Sequence, residues 1–425
     1  MDTTPATEVP EVFEVPKVFE VPEEELRPAL ELYLDLHTHP ELSGHEARTA
    51  DRFAAWLELH GCTVARGVGK GHGVDGVVGV LRNGPGPTVL LRAELDALPV
   101  TERTGLRYAS SVPGVMHACG HDLHLAAAAG ALARLARSRS AWRGTVLVVG
   151  QAAEETLQGA RAMVDDGLYE RFGTPDLVLA QHAAPLPAGT VAHAGPGPLM
   201  PASTALEVVI HGRGGHGGTP HLSVDPVLTA AATVVRLQSV VARETAPAEP
   251  VVLTVGSLRA GDRANVIPDR AELSISTRAF GEAALARVDA AVERIVRAEC
   301  AASGCPREPE LTVTARSPVL VPDPAATAAL RRVHAAALGA RRVTLTPPLT
   351  ATEDYAAFGA DGVPLAYWLL GTVGAARWRR AVESGEPLPP NHAPEFAPDV
   401  RTALPTGITA LTAAALHVLT AGEGT

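Results

Sequence analysis

The pattern of apolar and polar positions in the first half of the chain predicts an α/β domain. Apolar residues recur at helical spacing from Glu23 through Leu32 and Leu36 and, after a break at Pro40, over residues 46–60. Short β-rich or fully apolar runs lie at residues 76–81, 88–92, 145–149 and 177–180, and a further helix is predicted at about 123–137. Strands interspersed with helices in this way are typical of a sheet covered by helices.

From about residue 201 the order of elements changes to β-α-β-β-α-β. The predicted strands and helices lie at residues 205–210, 225–243, 251–255, 271–276, 282–300 and 311–315, in that order. The α/β pattern then returns with a helix near 325–338 and a strand at 366–370. The sequence therefore predicts a catalytic domain over 23–200 and 316–425, with an inserted ferredoxin-like α+β domain over 201–315.

The first 22 residues carry a short repeat, in which Val12–Pro16 is echoed by Val18–Pro22. Proline at this frequency opposes a helix, and the interspersed glutamates oppose aggregation of the Val and Phe pairs. We expect an acidic, flexible tail over residues 1–22, with a docking role as the alternative.

Composition narrows the class of protein. A length of 425 residues favours two domains, and a net charge of −11 argues against nucleic acid as a partner. Because the chain has no fully apolar run near the roughly 20 residues of a membrane helix and no basic-then-apolar N-terminus, we expect a soluble cytoplasmic protein without membrane contact. The four cysteines are scattered, so free thiols are favoured over a Cys300–Cys305 pair.

Side chains that can bind a metal are most frequent in residues 116–124, which lead into the alanine-rich helix. Cys119 and His121 flank Gly120, so both side chains can face one point, with glycine allowing a close approach. By contrast, His37 and His39 fall at a predicted helix end, where a solvated or capping pair is the simpler interpretation.

Polar residues also follow the predicted strands. Glu94 and Asp96 end one strand, Glu154 and Glu155 follow the next, and His182 ends the third. We expect the four early strands to bring their carboxyl ends together at this chemistry. Since neighbouring side chains on an extended chain face opposite ways, one of the two glutamates would bind a metal and the other would stand beside its water.

A single histidine is more often structural than a ligand, but the joint pattern favours a metal site. Cys119, His121, His182 and His392 with Glu155 form a mixed sulfur, nitrogen and oxygen set. Such a set suits a borderline divalent ion such as zinc, manganese, nickel or cobalt.

Several longer motifs resemble one enzyme group. They are residues 36–43, 96–100, 104–110, 113–122 and 153–155, and residues 214–217, 225–226 and 265–269 extend them through the inserted domain. These motifs resemble the hippurate hydrolase and auxin-conjugate hydrolase group, which belongs to the di-metal amidohydrolases and carboxypeptidases related to aminoacylase. The resemblance runs from about residue 25 to the end.

The resemblance implies a zinc-peptidase-like catalytic domain and a lid domain that often dimerises, giving a homodimer or homotetramer. It implies two divalent metal ions held by Cys119, His121, Glu155, His182 and His392, with Cys119 in the place of a bridging carboxylate. Glu154 would be the general base, and Asp96 would orient a ligating imidazole rather than bind metal.

Three residues of the lid domain match positions that contact substrate in the group. His216 would polarise the amide carbonyl, and Asn265 and Arg278 would bind the free carboxylate of the substrate. An ordinary surface role is the alternative for Arg278. The sequence departs from the group at Glu94, where aspartate is more frequent, and in an inserted run at residues 375–390.

The function implied is metal-dependent cleavage of the amide bond of an N-acyl amino acid or short peptide. The same site would also serve a dipeptidase or a hydrolase of another small-molecule amide. A metal-bound binding protein without turnover and an enzyme with Cys119 as nucleophile remain as alternatives from other classes.

Overall fold

The computed structural model describes residues 21–420, which form two compact units. The repeat predicted to form a tail lies outside these residues, apart from Val21 and Pro22. The first unit extends to Gly197 and resumes at Pro322–Pro347 and from Ala357 onward. The second unit comprises Pro198–Val321 and Pro348–Ala356. The predicted insertion did not include the second of these segments, whose stretch before Asp354 has no helix or strand and so no periodic signal.

The described residues contain fourteen strands and ten α-helices. The strands are β1 Thr63–Val68, β2 Gly76–Asn83, β3 Thr88–Glu94, β4 Gly144–Gln151, β5 Leu177–Pro187, β6 Val191–Ala194, β7 Ala202–His211, β8 Gly215–His216, β9 Val251–Arg259, β10 Val266–Ile267, β11 Arg270–Ala279, β12 Glu310–Ser317, β13 Val343–Thr346 and β14 Leu365–Val373. The helices are α1 Glu23–Thr38, α2 Ala47–Leu59, α3 His121–Arg137, α4 Gly159–Asp165, α5 Leu168–Phe172, α6 Pro226–Ser239, α7 Glu282–Ala302, α8 Pro324–Leu338, α9 Ala375–Ser384 and α10 Val400–Thr420.

The first unit is built on an eight-stranded sheet in the order β1-β2-β4-β3-β5-β14-β6-β13. Strands β4, β3, β5 and β14 are parallel, so their carboxyl ends meet at one edge. The expectation that the strand at 76–81 also ends there is wrong, because β2 is antiparallel to β4. Its place among the four parallel strands is taken by β14.

Apolar strands and alanine-rich helices form the core of this unit. All nine residues of β14 are buried, and α3 packs against α10 through small side chains. A Cβ on Gly130 of α3 would lie 2.5 Å from Ile408 of α10, so glycine is needed where the two helices touch. This contact holds α3, whose first residue is the candidate ligand His121, against α10.

Helix α10 is long and apolar enough to cross a membrane by length and composition. However, its most apolar stretch is 67% buried, and it packs against α3, α8 and the central strands. Core helices of soluble proteins have these same properties, so α10 is weak evidence for a membrane span.

The second unit has a four-stranded antiparallel sheet in the order β12-β7-β11-β9. Its helices α6 and α7 follow the first and third of these strands in chain order, which gives the predicted β-α-β-β-α-β arrangement. Helix α6 begins at the predicted Asp-Pro pair, where the Asp225 carboxylate accepts a hydrogen bond from Val227 N at 2.8 Å. The α/β class with an added α+β domain is therefore confirmed.

Candidate metal centre

The candidate ligands gather at the carboxyl edge of the parallel strands in the first unit. β3 ends at Glu94, β4 is followed by Glu154 and Glu155, and β5 carries His182. Cys119 and His121 approach the same edge from the connection into α3.

The turn into α3 depends on glycine. Gly120 lies at a φ of 89°, in the left-handed region, and a Cβ there would lie 2.8 Å from the Cβ of Ala183. This conformation lets Cys119 and His121, on either side of Gly120, face the same point, as the sequence predicts.

The five predicted ligands and Glu154 lie in one cluster. Cys119 Sγ is 3.3 Å from His182 Nε2, and His392 Nε2 is 3.5 Å from Glu155 Oε1. Three groups each have their ligand atoms within 4.8 Å of one another, namely Cys119/His121/His182, Cys119/Glu155/His392 and His121/Glu154/Glu155. The first two groups share only Cys119.

Glu154 and Glu155 do not alternate as expected from an extended chain. Strand β4 ends at Gln151, and Ala153 has a φ of 55°, in the left-handed region that alanine seldom adopts. The resulting turn brings both carboxylates to His121, whose Nε2 lies 3.7 Å from Glu154 Oε2 and 3.9 Å from Glu155 Oε1.

Buried polar atoms in this cluster fit a metal ion. His121 Nε2 and Glu155 Oε1 are buried and make no hydrogen bond within residues 21–420. Leaving such atoms unpaired is costly unless a ligand satisfies them. Together with the Cys119 sulfur they form the donor set that a borderline divalent ion prefers.

Carbonyl oxygens fix the orientation of two imidazoles. His121 Nδ1 lies 2.9 Å from Asp96 O, and His182 Nδ1 lies 2.8 Å from Ala183 O. Because a carbonyl oxygen only accepts hydrogen bonds, each Nδ1 carries a proton, so Nε2 is the ring nitrogen that can bind a metal once it has no proton. Asp96 thus lies beside His121 Nδ1, with its Oδ1 at 3.3 Å from that nitrogen.

The charges of the cluster balance one another. Burial opposes ionisation of the Cys119 thiol, but the imidazoles of His182 and His121 outweigh it and hold the pKa of Cys119 well below its usual range. Burial likewise opposes protonation of His121, yet the negative charges of Glu94 and Cys119 raise the pKa of His121 well above its usual value. The cluster therefore favours a thiolate, the form of cysteine that binds metals.

His392 is the most exposed candidate ligand, with 53% of its side chain accessible. The neighbouring Cys119 sulfur and Glu155 carboxylate favour the protonated ring and raise the pKa of His392 to about 10. Burial and the negative charge of Cys119 raise the pKa of Glu155. Since a histidine must lose its proton to bind a metal, metal binding here would release protons.

Asn391 holds the segment that carries His392. Its side-chain nitrogen donates hydrogen bonds to Cys119 O at 3.1 Å and Ala183 O at 3.0 Å. His392 N donates to Ala118 O at 2.8 Å. Sequence reasoning had given Asn391 no role, and only its place beside His392 could have indicated one.

His124 and Glu94 belong to a separate buried network. His124 Nδ1 is 2.8 Å from Glu94 Oε2, and its Nε2 accepts a hydrogen bond from Ala183 N at 2.7 Å. Glu94 also forms a buried ion pair with Arg92. Both nitrogens of His124 are therefore engaged, so it is not free to bind a metal although it lies in the cysteine and histidine motif.

His37 is buried rather than solvated. Its Nδ1 lies 2.6 Å from Asp122 Oδ2, and its Nε2 lies 3.4 Å from Glu102 Oε1. Burial lowers the pKa of His37, but the hydrogen bond and charge of Asp122 outweigh it and raise the pKa to about 9. The expectation of a solvated or capping pair is wrong for this residue, which joins α1 to the first turn of α3. His39, at the C-cap of α1, is exposed and bonds to Asp35 O.

The other three predicted site residues belong to the second unit. His216 lies opposite Val266 in the β8–β10 ribbon, and Gly217 N donates to Asn265 O at 2.8 Å, so His216 and Asn265 are close together. Arg278 lies in β11 and donates a hydrogen bond to Thr350 O. Burial lowers its pKa.

Comparisons with known proteins identify a family of peptidases and amidohydrolases. The profile described as peptidase family M20/M25/M40 matches residues 90–386. A thermostable carboxypeptidase 1 of Saccharolobus solfataricus is 32% identical over 87% of this chain and 90% of its own. The hippurate hydrolase of Campylobacter jejuni is 39% identical over 58% of this chain and 62% of its own.

One solved structure is a Bacillus subtilis protein described as a dinuclear metal-binding peptidase of the M20 family. It is 27% identical, with a TM-score of 0.72 over 93% of this chain and 100% of its own. These matches confirm the resemblance predicted from the motifs, and the chain belongs to peptidase family M20/M25/M40.

Proposed function

We propose that the protein is a metal-dependent amidohydrolase that cleaves the amide bond of N-acyl amino acids. The observation that carries this proposal is the position of Glu154, a nearly buried carboxylate, in the same group of ligand atoms as His121 and Glu155. A site that only bound metal or ligand would not need an additional base there.

Two divalent ions would be held by Cys119, His121, Glu155, His182 and His392. Two of the ligand groups share Cys119, which supports its role between two ions. When bound, such ions supply a Lewis acid that lowers the pKa of water and polarises the amide carbonyl. The thiolate favours zinc, nickel or cobalt, with manganese as the further candidate.

Glu154 would act as the general base and then as the acid. Its carboxylate would take a proton from the attacking water and pass it to the nitrogen of the leaving amino acid as the amide bond breaks. Asp96 would keep the His121 ring in place during this exchange through its carbonyl oxygen, which accepts from His121 Nδ1. Asp96 is itself held because its Oδ2 accepts hydrogen bonds from Glu155 N and Ser43 Oγ.

Residues of the second unit would recognise the substrate. His216 has an exposed imidazole and would donate a hydrogen bond to the carbonyl oxygen as negative charge develops there. Asn265 and Arg278 would bind the free carboxylate of the amino acid, Arg278 through its guanidinium.

We also propose a homodimer or homotetramer formed through the second unit. Leu228 and Val235 of α6 are 68% and 73% exposed. Strand β9 pairs only with β11 within the part of the chain described here, so it leaves a free sheet edge. An apolar helix face beside a free edge suits pairing with a second copy.

A cytoplasmic location agrees with the four cysteines, all of which are free thiols in the structure. The small-molecule substrate gives no reason to expect contact with a membrane or with nucleic acid.

A peptidase acting on dipeptides or short peptides is the second candidate. The similarity to a carboxypeptidase over 87% of the chain favours it, and the same residues would carry the reaction. A panel of N-acyl amino acids and dipeptides would rank the two.

The test combines metal analysis with product release. Metal content of the purified protein is measured by mass spectrometry, and amino-acid release from the panel is measured before and after chelation. We expect one to two ions per chain, and release that is lost on chelation and in Glu154→Gln. Bound metal with no release from any substrate would contradict the enzyme proposal. Release that survives chelation would instead favour Cys119 as a nucleophile.

A further inference from the structure

Glu46 is a buried carboxylate that neither the ligand set nor the proposed reaction uses. It stands at the N-cap position of α2, yet its side chain does not cap that helix. The residue is only 3% exposed and forms no ion pair with Lys, Arg or His within residues 21–420. Burial raises the pKa of Glu46, a sign that its environment disfavours the charge. Such a residue needs a reason to be inside the protein.

Its partner is the backbone of the turn after β4. Glu46 Oε1 accepts a hydrogen bond from Ala153 N at 2.8 Å, across 107 residues of sequence. On the other side of Ala153, its carbonyl oxygen accepts from Gly159 N at 3.2 Å. The one residue in the left-handed region directly before Glu154 is thus held through both its N–H and its C=O.

The conformation of Ala153 decides where the next two side chains lie. In extended backbone Glu154 and Glu155 would face opposite ways, whereas here both carboxylates lie beside His121. An alanine keeps a φ of 55° only when its surroundings favour it. The Glu46 carboxylate is a direct contact that does so.

A second link runs from the same connection to the turn through the Asp96 carboxylate. Glu155 N donates to Asp96 Oδ2 at 2.9 Å, and Ser43 Oγ donates to the same oxygen at 2.7 Å. Residues 43–46, between α1 and α2, therefore hold the turn at Ala153 directly and at Glu155 through Asp96.

We propose that Glu46 is a positioning residue that sets the geometry of Glu154 and Glu155. It acts through the Ala153 peptide, from which its Oε1 accepts a hydrogen bond, and it is not one of the candidate ligands. The inference rests on the proposed function for its kinetic effect, and on the ligand cluster alone for its effect on metal binding.

The chain offers a matched control five residues earlier. The Glu41 carboxylate accepts from Thr49 N at 2.7 Å and Thr49 Oγ1 at 2.9 Å, so it caps α2 without touching residues 152–155. Glu41→Ala would weaken the same connection while leaving the turn after β4 untouched.

The experiment compares Glu46→Ala, Glu46→Gln and Glu41→Ala in the full-length protein. Metal affinity is measured by titrating the chelated protein with Co²⁺ and following its absorption, and kcat and KM are measured at saturating metal. We expect Glu46→Ala to lower metal affinity or kcat by roughly 10- to 100-fold, with KM changed less than about threefold. Glu46→Gln keeps the Oε1 acceptor and should retain most of both. Glu41→Ala should lower only the melting temperature.

Two outcomes would overturn the inference. One is a Glu46→Ala protein with wild-type Co²⁺ affinity and kcat, and the other is an equal loss in Glu41→Ala, which would reduce Glu46 to a structural role. If the wild-type protein hydrolyses no substrate, the proposed function fails, but the Co²⁺ titration of the same three variants still decides the role of Glu46.

Discussion

A buried pair of histidines outside the candidate ligand set predicts a loss of stability in mild acid. His193 and His334 are 1% and 0% exposed, and His193 Nε2 lies 2.9 Å from His334 Nδ1. His334 Nε2 donates to Ala410 O, so its Nδ1 must accept the proton of His193. Neither shared nitrogen can take a further proton without breaking this arrangement. Burial lowers the pKa of His334 to about 4, and burial with the charge of His334 lowers that of His193 to about 3.

The magnitude follows from the pKa difference between the folded and unfolded states. Above pH 6.5 the two histidines are neutral in both the folded and the unfolded state, so they do not reduce the free energy of unfolding. As the pH falls below 6.5, the unfolded chain binds protons that the folded protein excludes until about pH 4, so stability falls through that window. At about 1.4 kcal/mol per pH unit, His334 alone removes about 3 kcal/mol.

His334→Gln isolates this effect. Glutamine can donate to Ala410 O and accept from His193 without titrating, so we expect unfolding free energy at pH 8 to change by about 1 kcal/mol or less. The variant should then lose about 3 kcal/mol less than wild type between pH 7 and pH 4. His72→Gln, at an exposed position, serves as the control.

The assay is urea unfolding of chelated protein at several pH values, followed by tryptophan fluorescence. All four tryptophans, at positions 56, 142, 368 and 378, belong to the first unit, so the signal reports on the unit that holds the histidine pair. Chelation removes the pH dependence of metal binding from the comparison. An unchanged pH dependence in His334→Gln would refute the reasoning.

Three further predictions concern the metal centre. Cys119→Ala should lose at least one bound ion per chain by mass spectrometry, since two ligand groups share that sulfur; full retention would contradict the shared role. Metal affinity, measured by competition with a coloured chelator, should rise from pH 6 to pH 8 because His392, with a pKa near 10, must lose its proton; a flat profile would contradict this. Gly159→Ala should lower activity and melting temperature, because its Cβ would lie 1.6 Å from Ala152 O, whereas Gly195→Ala meets no atom within 4 Å and should change neither.

The sequence predicted most elements because their signals are local. The apolar runs that became β4 and β5 and the Asp-Pro start of α6 each carry their own pattern. Strand direction does not, which is why the run at 76–81 was wrongly placed among the parallel strands. An apolar run is compatible with a parallel or an antiparallel strand, so the pattern does not determine strand direction.

In the site, too, the residues in local motifs could be predicted and those that act through distant contacts could not. The candidate ligands stand in motifs that can be recognised along the chain, and the structure brings their side chains into one cluster. The residues that hold them could not be found so, since His37 reaches Asp122 across 85 residues and Glu46 reaches Ala153 across 107. Nothing near either residue in sequence indicates its partner.

The Asn391 side chain joins segments 272 residues apart when it bonds to Cys119 O. An ion held by Cys119 and His392 would close the same long loop, and an unfolded chain has no such pair of ligands in place. Because only the folded protein binds the ion, each site stabilises the fold by mass action, by about 2.7 kcal/mol when free metal is a hundredfold above its dissociation constant. The metal supply of the cell would then control how long the protein persists as well as whether it is active.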